Sequence, residues 1–220
     1  MPKIGVVLSG CGVYDGAEIH ETVITMLSLN RAGAEIVMMA PNIGQLHVVN
    51  HLNGEEMSME SRNVLVESAR IARGNIRDLS LVSGSELDAL IFPGGFGVAK
   101  NLSDYSMVGA DCEVNPDVLR LVTEMVEAGK PIGVICIAPA ILAKIMEVMG
   151  RSVKLTIGSD ANTARDIQVM GGQHIVCPVD EFVVDEKNKI VSTPAYMLGP
   201  QIKDVAVGIE KLVNKILTMV

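Results

Sequence analysis

Tryptophan is absent from the 220-residue chain, and the other aromatic residues are few: three Phe and three Tyr. Proteins that bind single-stranded nucleic acid stack its bases on aromatic faces, so this class is disfavoured. Positive charge is also short. Eighteen Lys and Arg stand against 26 Asp and Glu, a formal net charge of −8. That balance opposes phosphate backbones and anionic membrane surfaces. Cysteine is scarce: Cys11, Cys112, Cys136 and Cys177 form no C-x-x-C, so zinc ribbons and thioredoxin-type motifs have no support. No apolar run reaches the ~20 residues of a membrane-spanning helix. The longest, Pro131 to Ala143, holds two prolines and a glycine and stops at Lys144. The N-terminal run Ile4 to Leu8 is too short for a signal-peptide core. A cytoplasmic protein with no nucleic-acid or membrane partner is expected.

Aliphatic residues are plentiful. The chain is 49% hydrophobic and holds 13 Met, enough to rule out disorder and to build one sizeable core with Met filling its gaps. No repeat, low-complexity tract or linker interrupts it, so a single domain over 1–220 is expected.

Short apolar runs alternate with helical patterns. Strands are expected at Lys3–Leu8, Glu35–Ala40, Asp88–Phe92, Pro131–Ile135 and Lys154–Ile157. A hairpin is expected from Phe182–Asp185 and Ile190–Ser192 around Glu186-Lys187-Asn188. Helices are expected over Ala17–Arg31, after a Ser61 cap, from Asn115-Pro116 to Gly129, from Cys136 to about Ile145, over Thr163–Met170, and from Pro200 to Met219. Near-continuous apolar strands alternating with helices imply a parallel sheet covered on both faces. The fold class is therefore α/β: a flavodoxin-like three-layer sandwich with a mostly parallel sheet and a cysteine at a strand-to-helix elbow. Ligands are expected at the carboxyl ends of the strands.

Those ends carry Ser9-Gly10-Cys11-Gly12 followed by Glu18 and Glu21, then Pro93-Gly94-Gly95, then Cys136 between PIGVI and IAPAILAKI. A side chain at so abrupt a turn is presented outward, as in a nucleophile elbow. The helix that follows would lower the thiol pKa and enrich the thiolate. Gly94-Gly95 could bring backbone N–H groups to an oxyanion. The same features also fit a small buried cysteine beside ordinary turn glycines.

VVLSGCGVYDGAEIHETV, IFPGGFGVAKNLS, KPIGVICIAPAILAK and NKIVSTPAYM resemble the DJ-1/PfpI branch of the class I glutamine amidotransferase-like superfamily. Within it they are similar to the ElbB-type proteins, which are named for isoprenoid biosynthesis. The resemblance runs over essentially the whole chain. It implies a nucleophile at Cys136, an acidic partner at Glu21 that helps set the thiol pKa, and an oxyanion turn at Gly94-Gly95, to which Ile137 is added as a neighbouring binding position. Glu18 and Cys11 are second-rank site residues: Glu18 lies one helical turn before Glu21, and Cys11 is expected to face the same cleft as Cys136. Two departures stand out. Gly158 occupies the place of the histidine found in Cys-His members, and Cys136-Ile137-Ala138 replaces the common C-x-G. Both weaken a glutaminase or protease reading.

The resemblance implies a glutathione-independent glyoxalase-type reaction, glyoxal to glycolate through a cysteine hemithioacetal. Glu21 is the expected acid/base for moving the proton between the two carbons, and a raised pKa would suit that role near neutrality. A redox-sensing or regulatory binding protein and an amidotransferase-like or deglycase activity are the alternatives. No metal and no organic cofactor is implied, the partner is a small aldehyde, and a homodimer is expected. The scarcity of rings suits a small aldehyde better than a nucleotide. His47 and His51 have i, i+4 spacing without an HExxH motif and read as solvated or subunit-contacting residues.

Overall fold

A computed structural model of the protein describes residues 1–199 and 201–220. The strands are β1 Lys3–Val7, β2 Glu35–Ala40, β3 Val49–Asn50, β4 Glu55–Glu56, β5 Arg77–Asp78, β6 Ala89–Phe92, β7 Ile132–Ile135, β8 Lys154–Leu155, β9 Gln173–His174, β10 Val183–Asp185 and β11 Ile190–Thr193. The helices are α1 Ile19–Arg31, α2 Val64–Ile71, α3 Phe96–Asn101, α4 Tyr105–Val108, α5 Pro116–Glu127, α6 Ala138–Val148, α7 Ala161–Val169 and α8 Ile202–Leu217.

Seven strands form one sheet in the order β10-β11-β7-β6-β1-β2-β5. Only the β10–β11 hairpin is antiparallel; the other neighbours are parallel. Side chains alternate across the sheet, as the two-residue repeat requires. Ile4 and Val6 of β1, with Ala89 and Ile91 of β6, pack with Ile24 and Leu29 of α1 and with Val205, Ile209 and Leu212 of α8. Val7, Leu90 and Phe92 point the other way, onto Val118, Leu121 and Met125 of α5 and Ile141 and Ile145 of α6. Both faces are thus covered, which is why the strands read as unbroken apolar runs. The result is the expected three-layer α/β sandwich. From β1 the chain builds outward to β2 on one side and later to β6, β7 and β11 on the other. The order therefore reverses between β1 and β6, and a crevice opens there beyond the strand ends.

Local chemistry shifts several boundaries. Asn63, not Ser61, caps α2, its Oδ1 accepting the Val66 N–H at 3.1 Å. Asp160 caps α7, which starts two residues before the expected Thr163. The expected strand at Lys154–Ile157 is only two residues long and pairs with β9 in a separate ribbon. Side chains explain this: the Lys154 N–H donates to Asp185 Oδ2 and the Thr156 N–H to Ser192 Oγ, replacing a backbone ladder to the sheet. Helices α3 and α4 fall in stretches read as loop. The last helix is Ile202–Leu217, and the Pro200 start expected for it lies outside the described residues.

Candidate active site

Cys136 follows β7 directly, and α6 begins two residues later. So sharp a reversal forces Cys136 to φ +63°, a left-handed conformation rare for residues with a Cβ. Its N–H donates to Thr193 O at 3.0 Å, which ties the turn to β11. The same turn aims the Ile137 N–H at Sγ, and the Gly95 N–H reaches Sγ from the opposite loop.

Glu21 lies beneath the thiol with no exposed surface. Its Oε2 accepts the Gly94 N–H at 2.8 Å, its Oε1 accepts the Tyr196 N–H at 3.3 Å, and its carboxyl is hydrogen-bonded to Cys136. Burial pushes the Glu21 carboxyl up to about 8, the charge of Glu18 adds to the rise, and the hydrogen bonds from Gly94 and Tyr196 oppose it. The raised carboxyl expected from the sequence is therefore present. The lowered thiol is not. Burial first and the Glu21 charge second hold Cys136 well above the ordinary thiol value, and the Gly95 and Ile137 N–H groups only partly counter them. The helix-end effect expected to enrich the thiolate is outweighed by desolvation. The two groups titrate as a pair.

The two glycines have different tasks. The Gly94 N–H is committed to Glu21, which removes it from the expected oxyanion site. A Cβ at Gly94 would overlap Cys136 Cβ and stand 2.7 Å from Glu21 Oε2, closer than real contacts allow, with Cys136 Sγ tight against it at 3.0 Å. Gly94→Ala is therefore expected to cost about 1–3 kcal/mol through overpacking, read as a lower denaturation midpoint. An unchanged midpoint would show that the site relaxes freely around the methyl. Gly95 caps α3 at φ +97°, and its N–H, with that of Ile137, is the donor pair available to an oxygen on a carbon bonded to Sγ.

Above Cys136 lies a cavity of about 470 Å³. Glu18, not Glu21, is the glutamate that lines it, together with Asp160. Glu18 is the N-cap of α1, and its Oε2 accepts the Glu21 N–H at 2.7 Å. Glutamate is not among the preferred caps, and Glu18 is only 8% exposed. Tyr196 also lines the cavity. It follows Ala195, another non-glycine residue with positive φ (+44°), and its phenol pairs with His20 Nδ1 at 2.8 Å. Sequence reasoning missed Tyr196, although the STPAYM segment that carries it was among those of the resemblance.

The match to a family model decides the kinship: the model described as the DJ-1/PfpI family covers residues 11–195. The chain belongs to the DJ-1/PfpI family. It is 47% identical over 226 residues to the human "Glutamine amidotransferase-like class 1 domain-containing protein 3, mitochondrial", covering 99% of this chain and 83% of the relative. It is 46% identical to the rat "ES1 protein homolog, mitochondrial", covering 99% and 84%. Among solved structures, it superposes with a TM-score of 0.93 on an isoprenoid biosynthesis protein with amidotransferase-like domain from Ehrlichia chaffeensis, at 40% identity and with coverage of 100% and 99%. The cytoplasmic expectation is contradicted by these kin: the human, rat and zebrafish relatives all carry "mitochondrial" in their names.

Several expectations for this DJ-1/PfpI chain need revision in detail. Cys11 does not line the cavity; it sits beside Glu67 and Arg70 of α2, and burial and the Glu67 charge raise its thiol. Gly10, whose N–H donates to Ser68 Oγ at 2.9 Å, draws that loop towards α2. Gly158 has φ +90°, and a Cβ there would lie 2.5 Å from Leu198 Cγ, so the place of the missing histidine is filled. His51 is a loop fastener: its Nε2 accepts the Tyr14 N–H at 3.2 Å and lies 3.8 Å from the buried Asp15. Asp15 Oδ2 in turn accepts the Val49 N–H at 2.8 Å, which pins the β3–β4 ribbon onto the loop after β1. Burial raises Cys112 and Cys177 to about 11, which suits packing rather than reactivity.

Proposed function

We propose that the chain converts glyoxal or a small related 2-oxoaldehyde to the hydroxy acid through Cys136. The observation that carries this reading is the stack of Glu21 beneath the Cys136 thiol, two N–H donors at the sulfur, and a second carboxylate, Glu18, facing the cavity. The sulfur adds to one aldehyde carbon while the thiol proton passes to Glu21 and the carbonyl pair moves onto oxygen, held by the Gly95 and Ile137 N–H groups. Protonation of that oxygen gives the hemithioacetal. A base then takes the hydrogen from the sulfur-bearing carbon and delivers it to the neighbouring carbon through an enediol, which leaves a thioester. Water cleaves the thioester, releasing glycolate and restoring the thiol. Glu18 is assigned the carbon-to-carbon transfer because it lines the cavity, and Glu21 the thiol proton because it is buried below it.

The glutaminase and protease alternatives lack support at Gly158, where no base can stand. The redox-sensor alternative is weakened by the raised thiol, since sensor cysteines are low-pKa and accessible. A homodimer remains part of the proposal, with Ile19, Val23 and Leu27, exposed at i, i+4 spacing along α1, as the face on offer. The link to isoprenoid metabolism rests on the name of the Ehrlichia chaffeensis neighbour.

An acid-quench experiment tests the intermediate. After brief exposure to glyoxal, the Cys136 peptide is expected to carry an acyl mass removable by neutral hydroxylamine. An adduct on Cys136 that resists hydroxylamine, or none, argues against the thioester route.

A further inference from the structure

We infer that the cavity selects uncharged aldehydes bearing an apolar, ring-sized substituent, rather than bare two-carbon dialdehydes or anionic ones. This deepens the reading above and rests on Cys136 as the reacting group. Composition suggested a pocket poor in rings. The fold does the opposite: three of the chain's six aromatic residues, Phe96, Tyr105 and Tyr196, line this one cavity. Val13, Ile137 and Met197 complete an apolar wall around Cys136. A space of about 470 Å³ falls in the range of drug-sized ligand pockets and far exceeds a two-carbon molecule. Glyoxal would touch the thiol and leave the rings wet, whereas a phenyl group beside the reacting carbon would cover them.

Charge adds a second criterion. Glu18 and Asp160 line the cavity, and no Lys or Arg does among the described residues. Lys100 comes near, with its ammonium 5.7 Å from the centre of the Phe96 ring, but it donates to Tyr14 O at 2.9 Å. The Glu18 Oε1 makes no hydrogen bond among the described residues and so is available to a donor on the substrate, not to an anion. A carboxylate-bearing aldehyde such as glyoxylate would meet two like charges.

Alkylation of Cys136 tests the selection without requiring any turnover. In each case sulfur displaces iodide, which leaves with its bonding pair, and the thiol proton goes to solvent. Iodoacetamide is the small neutral probe, iodoacetanilide the neutral probe with a ring, and iodoacetate the anion. Rates at Cys136 are read by peptide mass spectrometry, so that labelling of Cys11 is counted separately, and are normalised to N-acetylcysteine. The anilide is expected to react at least tenfold faster than the amide, the gain expected from burying a ring, and iodoacetate at least tenfold slower. Phe96→Ala is expected to cut the anilide's advantage to below threefold. Equal normalised rates for anilide and amide, or a faster anion, would overturn the inference and leave the glyoxal reading intact. Anilide selectivity without turnover of either glyoxal or phenylglyoxal would support this pocket while removing the activity proposed for it.

Discussion

Replacing Glu21 by Gln is expected to remove a loss of stability of several kcal/mol that the wild type suffers as pH rises from about 5 to about 9. The sign follows from proton linkage. An exposed carboxyl in the unfolded chain titrates near 4.5, whereas burial holds Glu21 in the fold up to about 8. Between those values the folded state binds more protons, so stability falls as pH rises through the window and levels off above it. The span sets a ceiling of roughly 5 kcal/mol. His174 works in the opposite direction, its pKa held low by burial, but it is common to both proteins and cancels in the difference. Urea denaturation of wild type and variant at several pH values reads that difference directly. A gap between them that does not grow with pH would mean that Glu21 is ionised at little cost in the fold. The same pair predicts that alkylation of wild-type Cys136 rises as pH passes about 8, when the first proton leaves, and that this step disappears in Glu21→Gln.

Glu18→Gln is expected to reduce glycolate formation by roughly 10²- to 10⁴-fold, the usual worth of a positioned acid–base group. Glutamine retains an oxygen that can cap the Glu21 N–H, so α1 should keep its start. Alkylation of Cys136 should be no slower in the variant, because removing the Glu18 charge removes one of the two causes that raise Glu21. Turnover lost with thiol reactivity kept is the signature of a group that moves protons between substrate carbons. Turnover within threefold of wild type would assign that transfer elsewhere.

Strands β1, β2, β6 and β7 were legible because they are covered by helices and so appear as unbroken apolar runs, whereas the edge strand β5, only the polar pair Arg77–Asp78, was not. The hairpin of β10 and β11 was legible from its polar turn. Helices α3 and α4 were not: they are short, and neither has a side-chain cap for sequence to display. At the site, Cys136 stood out because strand and helix patterns collide around it. Burial did not show. It raises both members of the Cys136–Glu21 pair, and it turned an expected thiolate into a proton-sharing pair. The relative placing of Glu18 and Glu21 was hidden for a local reason. α1 begins at Ile19, one residue after Glu18, so Glu18 turns to the cavity as a cap instead of stacking along the helix with Glu21. Tyr196 gave no signal because the strand end before it holds no glycine, and the left-handed turn is made by Ala195. The ring content misled for a related reason: a composition is an average, and half of these rings gather at one cavity.

The central claim is that Cys136 turns over an aldehyde, and the most direct measurement is glycolate formed from glyoxal by the wild type and by Cys136→Ala under identical conditions. The expected result is steady production by the wild type, rising with pH through about 8, and none above the buffer rate by the variant. Equal production by the two proteins would contradict the claim, whatever the geometry around the thiol.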